Sequence, residues 1–343
     1  MYTDLPAPPA APALDSHSLP KLLHRYGEPQ LWRSIGEIAI TIVPLAVLWV
    51  AMVLLARISL WLALPLALPT ACFVVRIFLI EHDCAHGSLF KQKLANAWVG
   101  RVAGVLTLTP FDYWRRTHGI HHATSGNLDL RGIGDVDTLT VDEYLALPSR
   151  RRLGYRLYRH PAVMFGLAPA YLFFLQHRLP VGLMRAKDWQ PWLSTIATNL
   201  GIAGLIVGLM GLVGVGPFLI SYLPVMMIAG SVGVWMFYVQ HQFEHTYWER
   251  AVAWDLPNAA LFGSSHYALP APLRWITANI GIHHVHHLCS KIPFYRLPEV
   301  LRNHPELAGI GRMTMRQSLA CVRLTLWDEA SRKLVSFKAL RNR

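Results

Sequence analysis

Three clusters of histidine carry the chemistry available to this sequence: His82-Asp-Cys-Ala-His86, His118-Gly-Ile-His121-His122 and His283-His-Val-His286-His287. On a helix, positions i and i+4 share a face, as do i, i+3 and i+4. His82 and His86 therefore point together, as do His118, His121 and His122, and likewise His283, His286 and His287. With 17 His in 343 residues, the HxxHH pattern is expected by chance about 0.04 times in such a chain, yet it occurs twice. Histidines gathered on one face repel once protonated, so a metal is the natural reason to collect them. Eight imidazoles exceed the three or four protein ligands of a zinc ion and suit two ions. Imidazole serves Fe, Cu, Ni and Zn alike, so ligand type leaves the metal open. HExxH is absent, because Glu81 precedes the first His and position 83 is Asp; that argues against a zinc metalloprotease. The isolated His17, His24, His160, His177 and His304 read as structural residues. Cys72, Cys84, Cys289 and Cys321 form no CxxC pair, which argues against a disulfide framework and a thiolate zinc site.

The elements that must position these clusters are membrane helices. Apolar residues make up 53% of the chain and charged residues only 15%, against a usual charged share of about 25%. Mean hydropathy is +0.31. The net charge is +12, but the Lys and Arg lie in loops between apolar runs, a membrane topology pattern and not a nucleic-acid footprint. Ile38 to Ala56 and Ile58 to Val75 are uncharged and joined by a short connection, which predicts a helical hairpin. Pro65 and Pro69 are expected to kink its second helix, and Arg76 to reach the headgroups near its end. Trp189 to Gln240 has no charged residue and is long enough for two spans, with Gly214, Gly216 and Pro217 at the turn. The fold expected is an all-α integral membrane protein: four transmembrane helices in two hairpins, a re-entrant or interfacial helix, and a cytosolic helical cap.

The boundaries follow from the same pattern. Residues 1–34 form an N-terminal cytosolic segment, whose Pro- and Ala-rich first 20 residues are expected to be an uncleaved, disordered tail. Residues 35–300 form the membrane domain, with spans at about 36–57, 59–80, 192–213 and 218–240 and the interfacial helix at about 160–178. Residues 301–343 form a cytosolic C-terminal tail, the end of a polar, basic region that starts near 242. The interfacial assignment rests on basic residues at both flanks: Arg150, Arg151, Arg152, Arg156 and Arg159 before it, and His177, Arg178, Arg185 and Lys187 after it. A fifth span there would put the histidine clusters on opposite faces. Lys21, Arg25 and Arg33 place the start of the chain inside. Met315, Leu319, Val322 and Leu326 lie at helical spacing and read as a packing face.

HDCAH, HGIHH and HHVHH, in this order and between pairs of spans, resemble the three histidine boxes of the integral-membrane fatty acid desaturases. The resemblance runs from about 35 to 300. HDCAHGSLF, VQHQFEHTYW and NIGIHHVHHL look most like the bacterial acyl-lipid, delta-12 (omega-6) branch. It implies a di-iron centre, O2 as co-substrate, electrons from an external donor, and cis-desaturation of an acyl chain in a bacterial inner membrane, with the active site on the cytoplasmic side. Carried over, the resemblance makes His82 and His86 ligands of the first box and His118, His121 and His122 of the second. His283, His286 and His287 are ligands of the third, with His284 as filler. A further ligand is implied at the end of the fourth span, where His241 fits and His245, on the same face, competes. The third box begins with His and not Gln, unlike the front-end desaturases. The first box has three intervening residues, not the four of acyl-CoA delta-9 enzymes. The haem signature HPGG is missing, so electrons are expected from a separate protein such as ferredoxin or cytochrome b5.

Around such a centre, Asp83, Asp112, Glu244 and Asp129 are candidates to orient the imidazoles, and Asn279 could cap the helix of the third box or join these orienting groups. Trp114, Phe111, Trp235, Phe237 and Tyr238 lie near the boxes and serve either as tunnel walls or as interface anchors. The basic cytosolic face suits an acidic electron donor or anionic lipid headgroups. Two rival functions remain. Alkane or carotenoid hydroxylases and ketolases use similar boxes but insert oxygen. A metal transporter or sensor would place its ligands at the middle of the spans, whereas here the histidines lie at their ends.

Overall fold

Four apolar helices dominate the computed structural model, which describes residues 15–342. In chain order, α1 (Leu31–Ile58) and α2 (Leu60–His86) form the first pair. Next come α3 (Lys93–Leu106) and α4 (Phe111–Thr124), then the second pair, α5 (Gln190–Val213) and α6 (Val215–His241). All four long helices meet the length and apolarity needed to cross a membrane. The chain reverses at Ser59 in extended conformation, and at Gly214, whose φ of +89° a side chain would resist. At Pro65 the second helix tightens into a 3-10 turn, Leu64–Leu66, before resuming at Ala67. There Pro69 lies in the first turn, where a missing N–H costs nothing.

The helices divide by exposure. Trp32, Val43, Val47 and Ile58 on α1, and Leu193, Leu200, Val207 and Leu212 on α5, are more than half exposed, as lipid-facing side chains are. In contrast, α2 and α6 pack against each other and bury Val74, Val75, Ile80, Val225, Ala229 and Met236 in the core. These two inner helices end at His86 and His241. The first box is therefore the last turn of α2, not a segment following it. A carboxylate–guanidinium pair crosses the first hairpin: Arg76 on α2 bonds Glu37 on α1, and its Nε donates to Thr41 Oγ1 at 3.1 Å. Arg76 is 1% exposed. It does not reach for headgroups as its position suggested, because a buried partner satisfies it.

The polar C-terminal third folds over the inner helix ends. It holds a parallel pair of short strands, β1 (His266–Ala268) and β2 (Arg312–Thr314), with His266 opposite Arg312. Between them lie α7 (Ala271–Ile276) and α8 (His283–Leu288). An antiparallel pair follows, β3 (Leu326–Asp328) and β4 (Lys333–Val335).

Three expectations are corrected here. Residues 301–342 are not a tail: Leu307, Met313 and Cys321 are buried in the main core, and Trp327 is buried beneath Trp248. Residues 15–34 are ordered, with a helix at Leu19–Leu23 whose Leu19 and Leu23 join the same core; residues 1–14, the rest of the expected tail, lie outside the described residues. Met315, Leu319, Val322 and Leu326 share no helix face. Met315–Ser318 is one turn, Leu319–Arg323 is 3-10, and Leu326 lies in β3. Met315 and Leu319 are exposed, and the buried positions are Met313, Ser318, Cys321 and Leu326.

The segment 160–178 is helical but irregular, with π-helical turns at Val163–Leu167 and Tyr171–Leu175 around Ala168–Ala170. It packs on α6 through Phe165 against Trp235 and Tyr238, with ring centroids 5.0 and 5.2 Å apart.

Candidate metal centre

Four helix segments bring the boxes to one place. On α2, the left-handed Gly87, φ +63°, stops the helix one residue after His86. On α4, the turn begins after Pro110 and turns His118, His121 and His122 inward. Two ties hold α8 in register. The His283 N–H donates to Ser265 O at 3.2 Å, and the Ser265 N–H donates to Gln240 O at 2.9 Å. Gln240 Nε2 in turn donates to Ile280 O at 3.0 Å, so the end of α6 is bonded to the run-up to the third box.

The imidazoles fall into two groups. Ligand-capable atoms of His82, His86, His118, His122 and His286 lie within 4.8 Å of one another, and so do those of His121, His241 and His287. His283 stands beside the second group, its Nε2 3.0 Å from His241 Nε2 and 3.1 Å from His287 Nε2. In the first group, His118 Nε2 is 3.0 Å from His86 Nε2 and 3.1 Å from His122 Nε2, which is 3.2 Å from His286 Nε2. All of the sequence-predicted ligands are thus gathered. His241 is among them, whereas its competitor His245 is exposed.

Protons alone do not satisfy this arrangement. Each Nε2 has one in-plane proton or one lone pair. His118 and His122 each face two other Nε2 atoms, and a single in-plane proton or lone pair cannot be directed at both. A cation takes every lone pair at once. At a metal–imidazole bond of about 2.1 Å, adjacent ligand nitrogens stand about 3.0 Å apart, near the spacings observed. A further sign is His121. Its Nδ1 lies 2.5 Å from Asp135 Oδ1, while its buried Nε2 has no hydrogen-bond partner. The residues present therefore fit two metal ions.

Burial sets the protonation. At His118, His122, His283, His286 and His287 it pushes the pKa well below the usual imidazole value, and the neighbouring imidazoles push it further. These rings are neutral near pH 7, the form that binds metal. Trp114 stacks on His118 with centroids 4.5 Å apart, and Phe237 lies 5.1 and 5.0 Å from His121 and His241. Phe111 and Tyr238 are buried in the core instead.

The expected orienting carboxylates are mostly elsewhere. Asp112 pairs with Arg101 and Arg115, Asp129 with Arg250, and Glu244 is an exposed neighbour of Lys333. Asn279 is not a cap: its Nδ2 donates to Phe294 O at 3.2 Å, and Ile282 precedes α8. Asp83 does lie beside the site. Its Oδ1 is 3.5 Å from His82 Nδ1, and its Oδ2 accepts from the Phe294 N–H at 2.7 Å. The carboxylate that sequence reasoning missed is Asp135. The signal was weak, a single Asp in the Gly-rich stretch Arg131-Gly-Ile-Gly-Asp135, 14 residues from its partner. Gly134, φ +78°, brings that loop against α4, where an added Cβ would lie 3.1 Å from His121 Cβ.

Comparison with known proteins decides the family. A family model described as fatty acid desaturase matches residues 59–318. The chain belongs to the fatty acid desaturase family. It is 42% identical over 324 residues to a fatty acid desaturase of Bacillus subtilis, covering 94% of this chain and 91% of that one. It is 26% identical to the sn-1 oleoyl-lipid 12-desaturase of Synechocystis, with 82% and 77% covered. It is 28% identical to the sn-1 acyl-lipid omega-3 desaturase (ferredoxin) of Nostoc, with 64% and 61% covered. This desaturase is thus a membrane oxidoreductase that introduces a double bond into a lipid acyl chain, and its histidine boxes form the cluster described above.

Proposed function

We propose that this desaturase forms a cis double bond at the delta-12 (omega-6) position of an acyl lipid. We further propose a site of two non-haem irons, with His82, His86, His118, His122 and His286 around one, and His121, His241, His283 and His287 around the other. The observation that carries this reading is the division of the imidazoles into two adjacent groups with Nε2 spacings of 3.0–3.2 Å. Zinc would fill its coordination with fewer of them. Two irons held side by side supply the activation of O2 needed to take hydrogen from an unactivated methylene. Overall, the –CH2–CH2– unit loses two hydrogens, and O2 takes these with two external electrons and two protons to give two waters.

The protein's share is positioning. Asp135 holds the Nδ1 proton of His121 and so turns Nε2 inward. Asp83 ties the first box to the segment after the third. Burial of the rings and the Trp114 and Phe237 faces keep bulk water from the reacting groups. The electron donor is external, such as ferredoxin or cytochrome b5, and the name of the Nostoc relative supports ferredoxin. The basic run Arg150, Arg151, Arg152 and Arg156 attracts an acidic partner. By the excess of Lys and Arg in the loops that join them, the helix ends that carry the boxes face the cytoplasm of a bacterial inner membrane.

The test is expression in a host that makes only monounsaturated fatty acids, with lipids profiled by mass spectrometry and His286→Ala run alongside. A new diene with a delta-12 bond, absent with His286→Ala, is expected. An oxygenated product would overturn desaturation in favour of hydroxylation, and a bond elsewhere would overturn the regiochemistry.

A further inference from the structure

A second polar site lies on the far side of the strand that leads into the third box. A groove of about 250 Å³ is lined by His266, Arg274, Asn279, Gly281, Ile282 and Arg312 among others. Parallel pairing of β1 with β2 sets His266 opposite Arg312, and α7 contributes Arg274. Both arginines are exposed, and neither guanidinium has an acidic partner or a hydrogen bond among the described residues. The His266 Nδ1–H donates to Ala308 O at 2.7 Å, which fixes the ring beside β2 and leaves Nε2 as an acceptor. Two unpaired guanidiniums with an amide beside them form a receptor for a phosphate-type anion.

The position of the groove selects the source of that anion. A hydrocarbon core takes about 20 helical residues. α2 has 27 from Leu60 to His86, so its last turns, with the first box, project beyond the core. Arg76 lies about 6 Å inside that boundary at 1.5 Å per residue. It bonds the carbonyl of Trp275, and its guanidinium lies 4.3 Å from the Trp275 ring centroid. Thus α7 sits at the bilayer surface. Leu273 and Trp275, on either side of Arg274, are 36% and 40% exposed, a typical interfacial anchor pair. At about 30 Å³ per water, the groove holds roughly eight water volumes. That suffices for a phosphodiester and part of its glycerol, while the acyl chains leave over the apolar rim.

We propose that Arg274 and Arg312, with Asn279, bind the phosphodiester of a membrane phospholipid, immediately behind the segment Gly281–Ile282 that precedes His283. The assignment rests on reading this desaturase as an acyl-lipid enzyme, and it makes a phospholipid its ligand at this groove.

The test is lipid titration of the purified full-length chain in neutral detergent, read by native mass spectrometry. Phosphatidylglycerol is compared with diglucosyl diacylglycerol of the same acyl chains. Wild type is expected to bind phosphatidylglycerol at least tenfold more tightly than the glycolipid. Arg274→Gln/Arg312→Gln is expected to erase that preference with metal content unchanged, and Arg274→Lys/Arg312→Lys to keep most of it. His286→Ala, inactive under the reading above, is expected to bind as wild type does, so the site is scored without turnover. Equal phosphatidylglycerol binding by wild type and the Gln pair would overturn the proposal. Displacement of the lipid by millimolar inorganic phosphate would make the groove a free-anion site, and displacement by ferredoxin would make it a donor site; either overturns the lipid assignment.

Discussion

Asp135 gives the sharpest test of the two-group metal centre, because it touches only one group. Its side chain is 11% exposed and its Oδ1 lies 2.5 Å from His121 Nδ1, so solvent screens the contact little. A carboxylate in this position fixes the tautomer and the ring orientation and raises the basicity of the other nitrogen. Removing such a partner typically weakens metal affinity 10–100-fold, about 1.4–2.7 kcal/mol. Asp135→Asn keeps an oxygen acceptor without its charge and is expected near the tenfold end. Asp135→Ala leaves a buried N–H without a partner and is expected near 100-fold. The first group contains no residue bonded to Asp135, so its ion stays. The assay is metal content against increasing chelator on purified protein. Wild type should lose its metal late, whereas both variants should release one of two equivalents early, with desaturation lost in step. Two equivalents released at the wild-type chelator concentration would refute the orienting role. Early loss of both would refute the independence of the groups.

His241→Ala is expected to release one metal equivalent and reduce activity at least 100-fold, while His245→Ala stays within about twofold; metal analysis and lipid profiling separate them. Gly100→Ala places a Cβ 2.2 Å from Phe111 Cε2, at the start of α4, and should cost about 1–3 kcal/mol, read as a lower Tm. Arg159 is 4% exposed and bonds Thr138 Oγ1, Tyr238 OH, Gln242 Oε1 and Leu324 O. Arg159→Met removes all of these bonds at once and should cost about 3 kcal/mol or more, read the same way. His177 is pushed down to about 3 by burial, then by Arg178. The unfolded chain, titrating near 6.5, takes up the proton first, so stability falls as pH drops from about 6.5 towards 3. At pH 5 the loss from this residue is roughly 2 kcal/mol. His177→Phe, packed between Tyr113 and Phe173, should flatten the Tm profile between pH 7 and 5; an unchanged slope would count against the buried neutral ring.

What sequence could supply was periodicity, local or nearly so. The uncharged runs predicted four spans, and the i, i+3, i+4 spacing predicted which imidazoles share a face. Arg76 shows where that stops. Its charge near a span end read as a headgroup contact, because nothing in the pattern links position 76 to Glu37 on a different helix or to a carbonyl at Trp275. The carboxylates show the same limit. Asp112, Asp129 and Glu244 are near boxes in sequence but face surface cations, whereas Asp135 reaches His121 only because a glycine-bounded loop folds back on α4. The C-terminal strands were missed for a related reason. Three-residue strands pair β1 with β2 across 43 intervening positions, and no period of two can be read from three residues.

These long-range ties explain why the cap belongs to the catalytic unit. Four helix ends must hold nine imidazoles at spacings near 3 Å, and helix ends fray when nothing holds them. Each end is instead bonded to the cap or a loop. α2 is tied through Asp83 to Phe294 and through the His86 carbonyl to Lys291 Nζ at 2.6 Å. α6 is tied through Gln240 to Ile280 and Ser265, and α4 through His121 to Asp135. Segment 280–294 thus contacts two spans on either side of the third box. A neutral, buried imidazole cluster gains little from its own contacts, so these ties and the metal supply the order that the rings lack. Chelation should therefore lower Tm as well as activity, and it should do so most in variants that weaken a tie, such as Asp83→Ala. If chelator left Tm unchanged in wild type and variant alike, the cluster would be preformed by packing alone, and the metal would be a passenger of the fold.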